Sequence, residues 1–257
     1  MADSGRRPCI FCQSTALKIT KEHVWPKWLR KFIEHGEGPA IGHSRRRSRG
    51  GQVVGERSWS AIPLDWQVKG PCKACNEGWM EDLEAYVQPA LVPMLQDQRV
   101  ALGVKAQWGL SMWATLRVLV AQHGHEADAR SIPERAYHRF YETRALPVGA
   151  QVWLGRYSGG GAWPTDYQHV ELFASGPSRP EPPGPNAYVV AFSVGYVAFL
   201  YWGHDIEDGP VLDIGSDLGR FFVPIWPIAR DGVEWPPPGL LGADGLEAAI
   251  RGLPIAF

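Results

Sequence analysis

This chain has little cysteine. Four residues in 257 are cysteine, and all four fall in two C-x2-C pairs. It also has no apolar run of the roughly 20 residues that a bilayer-spanning helix needs, so no membrane partner is expected. The opening stretch, MADSGRRPCIFC, carries basic residues with no apolar segment behind them and reads as no secretory signal. A cytoplasmic location is therefore expected, and there paired cysteines hold metal more often than they form disulfides. No internal repeat of solenoid or propeller length is present. Gly159-Gly160-Gly161 lacks the Lys-Ser/Thr that completes a phosphate loop, and neither a dinucleotide fingerprint nor a Ser-His-Asp signature occurs. These absences exclude P-loop and dinucleotide-dependent enzymes and point back to the cysteines.

Negative charge is scarce at the front of the chain. The formal net charge is −1, yet residues 1–60 carry 12 Lys+Arg against 5 Asp+Glu and the remainder is acidic. A basic front end suits an anionic partner, nucleic acid being the commonest. Its densest part is HSRRRSRGG (43–51), inside a Gly-, Ser- and Arg-rich stretch (36–51) that reads as an exposed loop. Arginine forks suit phosphate, so Arg45, Arg46, Arg47 and Arg49 are candidate contacts, as is Lys21. A solvated basic surface is the plainer alternative.

The pattern predicts an α+β fold. A short strand is expected within 15–20, a helix over about 25–34 opened by Pro26, and strands within 52–68. Helices follow over about 76–97, kinked near Pro89 and Pro93, then 104–122 and 133–143, with a last one over 243–251. From 148 onward four aromatic and β-branched stretches (QVWLGRYS, YQHVELFAS, AYVVAFSVG, YVAFLYWG) read as strands of an antiparallel sheet. The Pro-rich link 176–185 reads as a surface crossing. The organisation expected is an N-terminal metal module (1–97), a central helical segment (98–147) and a C-terminal β-rich region (148–257).

Cys9, Cys12, Cys72 and Cys75 supply four thiolates from two tight turns, the donor set of a structural zinc. Between and after the knuckles stand Lys21-Glu22-His23-Val24-Trp25-Pro26 and Cys75-Asn76-Glu77-Gly78-Trp79. This arrangement over residues 9 to about 84 resembles the HNH, or His-Me finger, endonucleases, and a set of bacterial proteins with the pattern KEHV…C-x2-CN-x-GWM. The resemblance implies a zinc-stapled treble clef and a metal-dependent endonuclease acting on DNA phosphodiesters. In that scheme His23 is the general base, and Glu22 and Asn76 ligate a catalytic Mg²⁺ or Mn²⁺. The family's central Asn has no counterpart between His23 and Cys72; His35, His43, Asp65 or Gln67 stand in its region. A non-catalytic zinc-stapled nucleic-acid-binding module, or a protein-interaction scaffold, is therefore the alternative. Asn76 also suits a helix cap, and Trp25, Trp28 and Trp79 suit core plugs. A protein partner or a second copy of the chain is compatible with all three readings.

Overall fold

The computed structural model describes residues 7–33, 41–49, 52–61, 65–125, 130–158, 165–173, 185–206, 209–242, 244–251 and 253. His35, Gly159–Gly161 and the link 176–185, save Pro185, lie outside them.

The first knuckle leads into β1 (Ile19–His23), a 3₁₀ turn (Lys27–Lys31), β2 (Ile41–Arg49), β3 (Gln52–Ala61) and β4 (Gln67–Cys72). The second knuckle opens a helix in three parts: α1 (Lys73–Cys75), a π-helical turn (Asn76–Met80) and α2 (Glu81–Leu95). Its backbone leaves helical geometry at Gly78 (φ −114°, ψ −115°), whereas Pro89 and Pro93 lie inside α2. The break in helical geometry therefore falls ahead of α2. The helix expected over 25–34 is only the short turn, closed by the Phe32 N–H to the Leu29 carbonyl at 2.9 Å.

After β5 (Val100–Gly103), α3 (Val104–His123) runs through the middle of the molecule. Residues 109–122 of this helix are buried on every side, which is the signature of a central helix rather than a surface one. Its buried hydroxyls are satisfied locally. Ser111 Oγ donates to the Gln107 carbonyl and Thr115 Oγ1 to the Ser111 carbonyl, both at 2.8 Å. No helix among the described residues is long and apolar enough to cross a membrane.

The chain continues through α4 (Glu134–Thr143), β6 (Gln151–Tyr157), β7 (Thr165–Phe173), β8 (Ala187–Val194), β9 (Val197–His204), α5 (Gly215–Gly219), β10 (Phe222–Trp226), β11 (Gly232–Trp235), β12 (Leu240–Leu241) and α6 (Gly245–Arg251). The main sheet has the order β10-β6-β9-β8-β7-β2-β3, with β12 pairing β6. β8 and β9 are buried along their whole length because both faces are covered. On one face Trp113 of α3 packs on Phe199 at 5.6 Å. On the other, Leu246, Ala249 and Ile250 of α6 share one apolar cluster with Trp202, Ala191 and Leu200.

The described part of the arginine-rich stretch, 43–49, is not a loop. It forms β2, an interior strand lying antiparallel to β3 and parallel to β7, so this sheet is not purely antiparallel. The cause is long-range charge pairing. Arg47 Nε donates to Glu171 at 3.1 Å, and Arg46 Nη2 donates to Glu56 at 3.2 Å and lies 3.8 Å from Glu247 of α6. Glu56 is Arg46's cross-strand neighbour on β3, whereas Glu171 and Glu247 lie more than a hundred residues away, beyond any local reading.

Candidate functional site

β1 and β4 pair in antiparallel fashion, and the helix that follows β4 begins at the second knuckle. The Cys72 N–H donates to Cys9 Sγ at 3.2 Å, which ties one knuckle to the other. The four sulfurs gather in one cluster. Cys9 Sγ lies 3.8 Å from Cys75 Sγ and Cys12 Sγ 3.7 Å from Cys72 Sγ, far longer than an S–S bond. All four lie within 4.8 Å of one another, and Cys9, Cys72 and Cys75 are buried. This cluster could bind a metal ion. The hydrogen bond from the Cys75 thiol holds Cys9 down to about 4 and pushes Cys75 up. Aromatic packing closes the cluster off. Phe11 meets Trp79 edge-on at 5.1 Å, and the Arg144 guanidinium stacks on Trp79 at 4.4 Å. Trp25 is fully buried, and Trp28 and Trp79 pack partly buried against the same core.

Strand alternation then divides the residues the sequence singles out. Successive side chains of a strand point to opposite faces. Thr20 and Glu22 take one face of β1, and Lys21 and His23 the other. Glu22 is buried and bonds inward: Arg117 Nη1 donates to its Oε1 at 3.1 Å. Arg117 is fully buried and also donates to the carbonyls of His23 (3.1 Å) and Val24 (3.3 Å). Its Nη2 lies 3.2 Å from Glu84 Oε1 as an ion pair, without hydrogen-bond alignment. Burial pushes the Glu84 carboxyl up to about 7 against the pull of Arg117. A cation at Glu22 shares its carboxylate with Arg117, whose Nη1 bonds Oε1.

His23 stands half-buried on the outer face, its Nε2 2.9 Å from Gln67 Nε2. Burial first, and then the charge of Lys27, lower its pKa, which keeps the imidazole neutral at pH 7. Of the four residues considered for the central Asn, Gln67 is directly opposite His23 on β4 and bonds it. Asp65 pairs instead with Arg30, and the His43 side chain lies outside what is described. Asn76 does not cap a helix: its Nδ2 donates to Thr20 Oγ1 at 3.1 Å, on the face of β1 away from His23. Thr20 in turn donates to the Pro71 carbonyl at 3.0 Å. Glu22, His23 and Asn76 thus share one small module but divide between two faces of it.

The arginines of β2 lie elsewhere, engaged with Glu56, Glu171 and Glu247, and Arg49 stacks on Phe173 at 4.2 Å. Lysines and Arg30 are the cations near His23. Lys21 stands directly opposite Lys69 across the β1–β4 ladder, both exposed, and Lys27 is near enough to shift His23. Lys69 was not a candidate from sequence. The alternation in Gln67-Val68-Lys69-Gly70 is the signal that places it outward. Arg117 was missed as well, although a single arginine inside an otherwise apolar helix marks a buried ion pair. No family model matches the chain, and no curated protein or solved structure matches it either.

Proposed function

We propose that residues 9–95 are a zinc-stapled treble clef of the HNH type, and that its outer hairpin face binds nucleic acid through the phosphate backbone. The succession knuckle, two-stranded ladder, knuckle and helix supports the first part. So do the sulfur separations. Zinc–thiolate bonds of about 2.3 Å in a tetrahedron give an S···S edge of about 3.8 Å, against 3.7 and 3.8 Å here.

The observation that carries the second part is the pair Lys21 and Lys69. Like charges directly opposite in a ladder repel. Neither lysine has an acidic partner within ion-pair distance among the described residues. Lys27 and His23 extend the same face. A bound phosphate relieves that repulsion and releases counterions from the nucleic acid. Fluorescence anisotropy with a labelled duplex over a range of salt tests it. Lys21→Glu/Lys69→Glu is expected to weaken binding at low salt and to flatten the slope of log K against log[salt] by about 2. Unchanged affinity and slope in that variant would remove the hairpin from the interface.

Cleavage is a second reading, favoured by the state of His23. A half-exposed imidazole with a lowered pKa suits a general base, and it acts as one once its Nε2 lone pair is released from the Gln67 Nε2–H that donates to it. It ranks second because the resemblance gives Glu22 to the catalytic cation, and here that carboxylate is bonded to Arg117. Supercoiled plasmid incubated with Mg²⁺ or Mn²⁺ decides between the two. Metal-dependent nicking that is lost in His23→Ala establishes an HNH-type hydrolase. Retention of DNA without nicking by the wild type leaves the binding module.

A further inference from the structure

A second cluster of metal-ligating side chains lies apart from the cysteines. His125 follows the end of α3, where Gly124 ends the helix, and His169 and Glu171 stand at i and i+2 on β7. That spacing puts the last two on one face of the strand. The ligand atoms of all three lie within 4.8 Å of one another, and all three residues are buried. The two imidazoles stack with centroids 5.3 Å apart and planes 23° from parallel.

We propose that His125, His169 and Glu171 form a second metal site, for a divalent transition ion with zinc the first candidate. Two imidazoles and one carboxylate are a donor set such ions favour, and three protein ligands leave a coordination position open. The observation that points to a ligand is His169. It is 1 % exposed, and neither ring nitrogen has a hydrogen-bond partner among the described residues. Buried polar atoms are ordinarily paired, and an imidazole that is not has a lone pair to offer.

Glu171 is already oriented. Arg47 Nε donates to its Oε2 at 3.1 Å, the outer-shell support that ligating carboxylates usually have. Arg45 Nε lies 4.0 Å from that Oε1. An incoming ion therefore competes with guanidinium groups for the carboxylate, and the imidazoles must carry most of the affinity. The site is expected to bind more weakly than the four thiolates. Bonds of about 2.0–2.1 Å require the ligand atoms to close to about 3.3 Å in a tetrahedron. Small side-chain rotations cover that difference.

Cobalt titration of the metal-free full-length chain tests this. Two equivalents of Co²⁺ are expected. The first saturates the thiolate charge-transfer band, and the second adds only weaker visible absorption from nitrogen and oxygen ligands. His169→Ala and His125→Gln should each lose the second equivalent and leave the thiolate band intact. Circular dichroism checks their folding, and His125→Gln, at the less buried position, decides the matter if His169→Ala fails to fold. A wild type that takes up a single equivalent, or folded variants that still take up two, would overturn the site.

Discussion

Stripping metal from the four-cysteine cluster is expected to produce the largest single loss of structure in this protein. Cys9, Cys12, Cys72 and Cys75 hold together two segments about sixty residues apart, and the ladder joining those segments has only two strands, β1 and β4. A two-stranded ribbon is marginal by itself. Structural zinc contributes on the order of 10–16 kcal/mol in small zinc modules. Here Phe11, Trp79 and the Phe140 ring of α4 already pack around the cluster, so part of that stabilisation is shared with the core. Chelator treatment, or Cys75→Ser, should red-shift tryptophan fluorescence as Trp79 loses its contacts. It should also collapse hydrogen-exchange protection at the Cys72 amide, which donates to Cys9 Sγ. Protection in α3 should persist, because that helix is buried against the main sheet. An unchanged exchange pattern in protein shown to be free of metal would mean that the cysteines pack as ordinary apolar side chains.

The second large effect is expected at Arg117. Its guanidinium has no solvent exposure and holds Glu22, Glu84 and two carbonyls of the β1 segment. Removing one partner of a buried ion pair leaves uncompensated charge and costs about 3–5 kcal/mol. Arg117→Ala should therefore lower the urea midpoint strongly. Adding Glu22→Gln should recover part of the loss, since the carboxylate stranded by the first change is then neutral. Glu84 needs less rescue, because burial already raises it to about 7 and it can accept a proton. If Arg117→Ala costs under about 1 kcal/mol, the group is a solvated contact and Glu22 is free to serve a cation. The same measurement thus bears on the hydrolase reading, whose metal ligand Arg117 holds.

The Lys21→Glu/Lys69→Glu and Arg117→Ala variants probe opposite sides of one strand. Lys21 and His23 face outward. Thr20 and Glu22 face inward, where Asn76 and Arg117 fix the knuckle and the central helix. Alternation along five residues of β1 separates an exposed surface from a structural anchor.

Composition and spacing were enough for everything that depends on near neighbours. The two C-x2-C pairs announced a cluster of four cysteines that could bind a metal ion, the apolar texture of 104–122 announced α3, and the four aromatic stretches after 148 became β6 to β9. Each of these rests on a local period or a tight turn that the residues themselves encode. The tertiary structure alone decided what depends on distant charges. Arg45 to Arg49 have the composition of a loop, but Glu171 and Glu247, far along the chain, draw them into the sheet as β2. Glu22-His23 has the order of a catalytic pair, but Arg117 claims the acid. Lys69 was unremarkable until the ladder set it against Lys21. A side chain's period is written in the few residues around it, whereas the partner of a buried charge is chosen by the fold, because only folding removes the water that would otherwise solvate both.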